Sequence, residues 1–389
     1  MHVLIAADAF GATLGPRTTG DALAAGWARG APHDTVEVRP LSDGGHGFVA
    51  LVGDALGVRP EPDGVLVVPG THGTSTVYID GHGCIDAGRS SAWLAEQIEH
   101  ALSLGATRIV VGLPGPHETV RGPDAGAALL GALGALAPER HGRWTGRLGA
   151  VTASDLGGLA AVRERLRGVD LVGATASDVP LLGLHGASAS AAAAGVLGAQ
   201  EAHDLEREIG HFAHVVRGIL APLADLRRPL PLAGSTRGDG ARADVARALT
   251  TGAGTGAAGG LGFALCALGG RLVPGADVFG DTARVSERAE RADLVLTARG
   301  ELDGSSFQGS ALAVAVRAAA QWGVPCLAVA GTSLMSRREQ ASAGLSALSE
   351  LHAGETPATG DPRGTVEDLD AQAERLARTW SPARLVTRT

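Results

Sequence analysis

The stretch HVLIAADAFGATLG (residues 2–15) decides the fold class. Its residues 3–7 form an unbroken apolar run, typical of a strand buried on both faces, and Asp8 follows directly. Behind this strand the pattern predicts a helix at 18–29, a strand at 36–41 and a helix at 48–56. A strand–helix–strand–helix order predicts a parallel α/β sheet.

The character of the sequence changes after this opening. Residues 58–86 carry strand patterns at 65–68 and 74–79, Gly- and Pro-rich turns and no helical period, which predicts a β-rich insertion. Further strands are expected at 108–112, 148–153, 169–175, 293–297 and 326–331. Helices are expected at 91–104, 124–136, 157–167, within 184–224, at 260–268 and at 365–379.

The composition excludes several classes of function. The 389 residues are 45% hydrophobic and 19% charged, which suits two domains with sizeable cores. The absence of lysine excludes a lysine Schiff base, a Walker A phosphate loop and the protein-kinase lysine. With 33 arginines against 41 acidic residues the net charge is −8, which argues against nucleic acid as a partner.

The cellular setting is predicted from the cysteines and the apolar segments. Cys84, Cys266 and Cys326 are few and far apart, which indicates a reducing compartment and no disulfide framework. Residues 1–8 lack the charged and long apolar regions of a signal peptide, and no apolar stretch is long enough to span a membrane. We therefore expect a cytoplasmic protein without a membrane partner.

Acidic residues follow several of the predicted strands. Asp8 and Asp43 end the first two strands, and Asp303 lies in the loop Thr297–Gly304 after a later one. Ligands of open α/β sheets bind at the carboxyl ends of strands, and Mg²⁺ prefers the hard oxygens that carboxylates supply. The set therefore predicts a site for Mg²⁺ and a phosphate-bearing substrate. Each aspartate taken singly is better explained as a loop residue or helix cap, and only the set as a whole favours a site.

The segment GTGAAG (residues 254–259) has the spacing GxGxxG. Since a helix pattern precedes it where the dinucleotide fingerprint needs a strand, an NAD site is disfavoured. Two interpretations remain: a glycine loop that delivers a helix N-terminus to a phosphate or carboxylate, or glycines that serve close helix packing.

Histidines and nucleophiles give weaker signals. His46 lies inside the Asp43 loop and is the histidine that we single out as an acid–base candidate. His203, His211 and His214 share one predicted helix, and surface or interface positions explain them better than a metal site. No GxSxG nucleophile elbow is present, so a hydrolase is unsupported.

At this point the residues resemble the class I glycerate kinases, which phosphorylate glycerate with ATP and Mg²⁺. The resemblance runs in family order over nearly the whole chain. The similar segments are VLIAADAFGATLG (3–15), LSDGGHGF (41–48), LGATRIVVGLPG (104–115), PDAGAALLGALGA (123–135), ASDVPLLGLHGA (176–187), TGAGTGAAGGLGFALCALGGRLVPGADV (251–278), ADLVLTARGELDGSSFQGSALAVAVRAAA (292–320) and GVPCLAVAG (323–331).

The resemblance implies a two-domain α/β fold with ATP and glycerate held in a cleft between the domains. One domain would be flavodoxin-like, with a parallel sheet, and the other an interleaved mixed α/β domain. We expect the first to comprise 1–57, 91–137 and 280–360 and the second 58–90 and 138–279. A C-terminal helix and tail would occupy 361–389. The resemblance leaves a homodimer open.

The resemblance also implies site residues. Catalytic candidates are Asp8, Asp43, Asp124 and Asp303, of which Asp43 and Asp303 would hold the metal. Candidates for binding substrate or phosphate are Gly44, Gly45, His46, Arg89, Asp178, Gly256, Gly259, Gly260, Arg299 and Glu301.

Several family positions differ in this sequence. Gly11 and Ser310 stand where the family has lysine, and His46 replaces a glutamate. Arg299 and Glu301 exchange the acidic and basic members of the family's Gly-Glu-Gly-Arg motif. Three interpretations therefore remain open: a glycerate kinase-like phosphotransferase, a catalytically degenerate paralogue that binds or regulates, and a kinase with a changed substrate.

Overall fold

The structure, a computed structural model, describes residues 1–11, 13–61, 64–82, 90–115, 123–137, 147–224, 248–307, 309–351 and 364–381. The chain divides into two units. Unit 1 comprises Met1–Asp43, Asp54–Leu56 and Ala276–Thr389, and unit 2 comprises Gly44–Gly53 and Gly57–Gly275. The amino- and carboxyl-terminal parts of the chain thus build unit 1, and unit 2 is inserted between them.

The described strands and helices are numbered in chain order. The strands are β1 (His2–Ile5), β2 (Thr35–Val38), β3 (Val65–Pro69), β4 (Ser75–Asp80), β5 (Arg108–Leu113), β6 (Asp170–Thr175), β7 (Arg271–Pro274), β8 (Leu294–Leu302), β9 (Cys326–Ser333) and β10 (Ala347–Glu350). The helices are α1 (Pro16–Gly30), α2 (Phe48–Leu56), α3 (Ala92–Ser103), α4 (Ala127–Ala132), α5 (Leu159–Arg165), α6 (Ala187–Ala193), α7 (Ala199–Ala224), α8 (Ala257–Ala267), α9 (Gly275–Thr282), α10 (Val285–Ala289), α11 (Ala311–Trp322), α12 (Arg337–Ser342) and α13 (Val366–Trp380). Short 3₁₀ helices lie at Thr71–Gly73, Leu148–Ala150 and Gly304–Phe307.

Unit 1 contains a five-stranded sheet in the order β10-β9-β8-β1-β2, and every strand pair in it is parallel. Counted within the unit, this is the 2-1-3-4-5 order of flavodoxin-like folds. The predicted flavodoxin-like parallel domain is therefore confirmed.

The central position of β1 follows from its composition. Val3, Leu4 and Ile5 are fully buried, and β1 has β2 on one side and β8 on the other. On one face of this sheet α1 and α13 pack against each other and against Val3 and Ile5. A strand buried on both faces needs an unbroken apolar sequence, which is what residues 3–7 supply.

Unit 2 has its own sheet and its own core. Its strands lie in the order β3-β4-β5-β6-β7, with β3 antiparallel to β4 and the other pairs parallel. The core packs the sheet against the helices of the unit, and Phe212 and Phe263 meet edge to face inside it with ring centroids 6.0 Å apart. The mixed α/β character expected for the second domain is thus present.

One segment differs from the predicted division of the chain. Residues 91–137 were expected in the flavodoxin-like domain, whereas β5 pairs with β4 and β6 in the unit 2 sheet. The C-terminal helix, expected as a separate piece, is α13 of unit 1 and packs on α1. The sequence of a parallel strand does not by itself indicate which of two sheets the strand will join.

Three local predictions also differ. Residues 148–150 form a 3₁₀ helix rather than a strand, followed by a turn in which Asp155 accepts hydrogen bonds from the backbone and hydroxyl of Thr152. The edge strands β7 and β10 were not predicted. Both have only four residues and none is buried, so no apolar run marks them.

Candidate active site

The candidate site of unit 1 lies at the carboxyl ends of β1 and β8. In a sheet of 2-1-3-4-5 order the chain reverses direction of winding between these two central strands, and ligands bind in the crevice outside that switch point. Asp8 follows β1, and Arg299 lies towards the carboxyl end of β8. The two residues that sequence analysis selected independently therefore belong to the same edge of one sheet.

Asp43 reaches the same edge through the segment that follows β2. The Arg39 amide donates to the Ile5 carbonyl and the Leu41 amide to the Ala7 carbonyl, each at 2.8 Å. The segment thus runs beside the end of β1 as far as Asp8. The charge of Asp43 acts on the Asp8 carboxyl as a result.

The Asp8 carboxyl has a strongly perturbed acidity. Burial is the main cause and the negative charge of Asp43 the second, and together they raise the pKa of Asp8 from 3.8 to about 8. The Ala9 amide, which donates to Asp8 Oδ1 at 2.7 Å, and the Arg299 guanidinium both oppose this rise. A carboxyl that takes up and releases a proton near neutral pH suits acid–base chemistry.

Thr297 is a residue of this edge that sequence reasoning missed. Strand alternation places it on the same face of β8 as Arg299, since Leu296 and Ala298 belong to the core on the other face. The residue is 1% exposed, and its hydroxyl has no hydrogen-bond partner among the residues that the structure describes. A buried hydroxyl without a partner is costly, which is typical of a group that meets a ligand.

Asp303 and Glu301 have other surroundings. Asp303 Oδ1 accepts hydrogen bonds from the amide and the hydroxyl of Ser306, both at 3.0 Å, and so caps the 3₁₀ helix Gly304–Phe307. Glu301 is exposed. Within the described ranges no group of three or more His, Cys, Asp or Glu side chains could hold a metal ion. The selection of Asp43 and Asp303 as metal ligands stays a prediction.

Asp124, in unit 2, forms a helix cap. The Gly126 and Ala128 amides donate to its two carboxyl oxygens at 2.8 and 3.3 Å, and the Ser91 hydroxyl donates to Oδ2 at 3.1 Å. The Leu129 amide in turn donates to Ser91 Oγ at 3.2 Å. Burial raises the pKa of Asp124 although these hydrogen bonds oppose it. The network ties the start of α3 to the start of α4, and the catalytic role that the resemblance implies for Asp124 stays a prediction.

The glycine-rich segment 254–260, which runs into the first residues of α8, is closely packed. Ala258, Gly259 and Gly260 all have positive φ, of 49°, 67° and 100°. The amides of Gly256, Ala258 and Gly260 donate to the carbonyls of Val179, Pro114 and Gly256 at 2.9 to 3.1 Å. These three amides are therefore engaged by the protein itself. The arrangement favours close packing over an anion cradle at Gly256 and Gly260, and for Gly259 the anion role stays a prediction.

His46 has a partner that the sequence did not reveal. Its Nδ1 lies 3.2 Å from Nδ1 of His82, which follows β4, and both residues belong to unit 2. His46 is exposed, and Gly44 and Gly45 beside it are buried. Their roles in binding stay predictions.

The remaining two candidates carry no structural support. Asp178 is exposed beyond the end of β6. Arg89 lies outside the described residues. Separately, no helix in the described part of the chain is long and apolar enough to cross a membrane.

Comparison with known proteins gives one consistent result. The family model described as "Glycerate kinase family" matches residues 3–80 and 84–381. A glycerate kinase of Bacillus subtilis is 27% identical over 97% of each chain, and an uncharacterised protein of Mycobacterium bovis is 29% identical over 89% of this chain and 83% of its own. The crystal structure of a putative glycerate kinase 2 from Salmonella typhimurium superimposes with a TM-score of 0.63 at 23% identity, over 97% of this chain and 98% of that one.

Proposed function

The chain belongs to the glycerate kinase family, and we propose that it uses ATP to phosphorylate a hydroxyl of glycerate or of a similar small hydroxy acid. The full-length similarity to a relative named glycerate kinase supports the reaction type. The observation that carries the proposal is the group Asp8, Asp43 and Arg299 at the switch point of the unit 1 sheet.

In this proposal Asp8 accepts the proton of the substrate hydroxyl. The hydroxyl oxygen then forms a bond to the γ-phosphorus of ATP, the bond to the bridging oxygen breaks, and ADP leaves. A general base works best when its pKa is close to the working pH, and burial with the Asp43 charge gives Asp8 a pKa of about 8.

Asp43 is the residue of this group that fits Mg²⁺, because Asp8 serves as the base. The Asp43 carboxylate brings a negative charge to this edge of the sheet, and that charge contributes to the raised pKa of Asp8. Carboxylate oxygens are ligands that Mg²⁺ prefers. When bound, the ion would neutralise charge on the transferring phosphoryl group. Asp303 is a weaker candidate because its Oδ1 already accepts two hydrogen bonds.

Arg299 supplies positive charge at this edge. The chain has no lysine, so every fixed side-chain cation that meets phosphate or a substrate carboxylate must be arginine. A guanidinium can bind either anion through two parallel hydrogen bonds. We assign Arg299 this role, with Thr297 as a hydroxyl placed to hydrogen-bond the same ligand.

The test is ADP release at saturating Mg²⁺ with and without D-glycerate. We expect glycerate-dependent turnover in the parent and a fall in kcat on the order of 10²–10⁴ in Asp8→Asn, the contribution usual for a general base. Asp21→Asn, which neutralises an exposed aspartate on α1 of the same unit, is the matched control and should keep its activity.

Two other outcomes would replace the proposal. Nucleotide binding without turnover, seen as a shift in melting temperature, would identify a binding or regulatory protein. Turnover with another hydroxy acid and none with glycerate would identify a kinase of changed substrate.

A further inference from the structure

The two imidazoles of His46 and His82 form an unusual pair. Their Nδ1 atoms are 3.2 Å apart, their ring centroids 4.5 Å apart, and their planes cross at 77°. His46 comes from the loop before α2, and His82 follows β4. Two separate segments of unit 2 therefore place the Nδ1 atoms of the two rings next to each other.

The pair is not arranged like a linear hydrogen bond. If the two Nδ1 atoms faced each other along one line, the centroids would be separated by the 3.2 Å gap plus the radii of both rings, which exceeds the observed 4.5 Å. The two rings meet at an angle instead, in an edge-to-face arrangement.

The separation of the two nitrogens matches that of two ligands of one metal ion. Two histidine nitrogens that bind one tetrahedral ion at about 2.0–2.1 Å lie about 3.3 Å from each other. We propose that His46 and His82 bind one divalent transition-metal ion of the class that prefers imidazole, such as Zn²⁺, Co²⁺ or Ni²⁺, through their Nδ1 atoms, with water completing the coordination.

The surroundings support such a site. Asp80 Oδ1 accepts a hydrogen bond from the backbone amide of His82 at 3.0 Å and so holds the chain where the imidazole must lie. His46 is exposed and His82 half-buried, so an ion has access from solvent. Imidazole suits transition metals and Mg²⁺ prefers oxygen, so this site differs in chemistry from the carboxylate pair of unit 1.

The test is a calorimetric titration of the full chain with ZnCl₂ alone, in the presence of excess MgCl₂. We expect one Zn²⁺ per chain at this site, and a loss of affinity of at least about tenfold in His46→Ala and in His82→Ala, because even residues behind the ligands contribute that much to metal sites. His203→Ala, which removes an exposed histidine from α7, is the matched control and should titrate like the parent.

Histidine nitrogen NMR adds a second readout. One equivalent of Zn²⁺ should shift the Nδ1 signals of His46 and His82 together and leave that of His203 in place. Equal Zn²⁺ affinity in the parent and both alanine variants, no binding by the parent, or displacement of Zn²⁺ by Mg²⁺ would each overturn the proposal.

Discussion

The raised pKa of Asp8, at the switch point of the unit 1 sheet, affects the stability of the fold. A carboxyl whose pKa is higher in the folded chain than in the unfolded one stabilises the fold fully below the unfolded pKa. That contribution is lost as the pH rises through the folded pKa. For Asp8 the window runs from about 4 to about 8.

We therefore predict that Asp8→Asn changes the pH dependence of stability in metal-free protein. The parent should lose unfolding free energy relative to the variant as the pH rises from 5 to 8, by on the order of 4 kcal/mol, because only the parent must ionise a desolvated carboxyl. Urea unfolding in EDTA at several pH values measures the difference.

Two further variants sharpen this experiment. Asp43→Asn removes the second cause of the raised pKa of Asp8, so the pH window should end at a lower pH. The exposed-site variant Asp21→Asn should stay parallel to the parent. Parallel curves for Asp8→Asn and the parent would contradict the raised pKa.

At the residue scale, the sequence predicts those site residues that the pattern of their immediate neighbours identifies. Asp8 and Asp43 are found because each follows an apolar strand of a predicted parallel sheet. Thr297 and the partnership of His46 with His82 are not found, because burial and convergence depend on tertiary packing. For Asp124 the resemblance predicts a catalytic role, whereas its hydrogen bonds with the Gly126 and Ala128 amides depend on the fold and are not predicted from sequence.

At the scale of elements, α1 and α13 of unit 1 pack closely against each other. A Cβ at Gly26 would lie 2.0 Å from the Asp370 carbonyl oxygen, so the helices approach at a distance that only glycine allows. Arg29 reinforces the contact through ion pairs with Asp370 and with Glu374, the latter at 3.2 Å. The sequence predicts both helices but not that they touch.

Gly26→Ala should therefore destabilise unit 1 by about 2–4 kcal/mol, although alanine favours helix formation by about 1 kcal/mol. Gly218→Ala is the matched control: it lies in α7 with open space at its Cβ, and it should be neutral or stabilising by up to about 1 kcal/mol. Thermal unfolding of both variants measures the contrast. A Gly26→Ala variant as stable as the parent would refute the close approach.

Long apolar or amphipathic elements are predicted well because periodicity and burial agree in them. Helix α2 occupies the predicted residues 48–56, and α1 extends the predicted helix 18–29 by one turn or less at each end. The short strands β7 and β10 are not predicted for the opposite reason. None of their residues is buried, so their sequences carry no hydrophobic pattern that would indicate a strand.

At the scale of the whole molecule, the fold class follows from sequence but the grouping of segments does not. Alternating strands and helices predict parallel α/β sheets, and the resemblance adds the flavodoxin-like order. The assignment of β5 to the unit 2 sheet depends on its pairing with β4 and β6, which is a property of the folded chain.

The division of the chain into two units leads to a prediction about folding. Unit 2 is nearly continuous in sequence, with a five-stranded sheet and a core of its own, whereas unit 1 needs both ends of the chain because β1 lies between β2 and β8. A domain with its own core can fold alone.

We expect a fragment of residues 44–275 to show a cooperative thermal transition and dispersed amide NMR signals. A fragment of residues 1–43 should stay unfolded, because its two strands have no partner for the second edge of β1, and mixing it with residues 276–389 should restore structure. A non-cooperative 44–275 fragment would show that its core is insufficient without the rest of the chain.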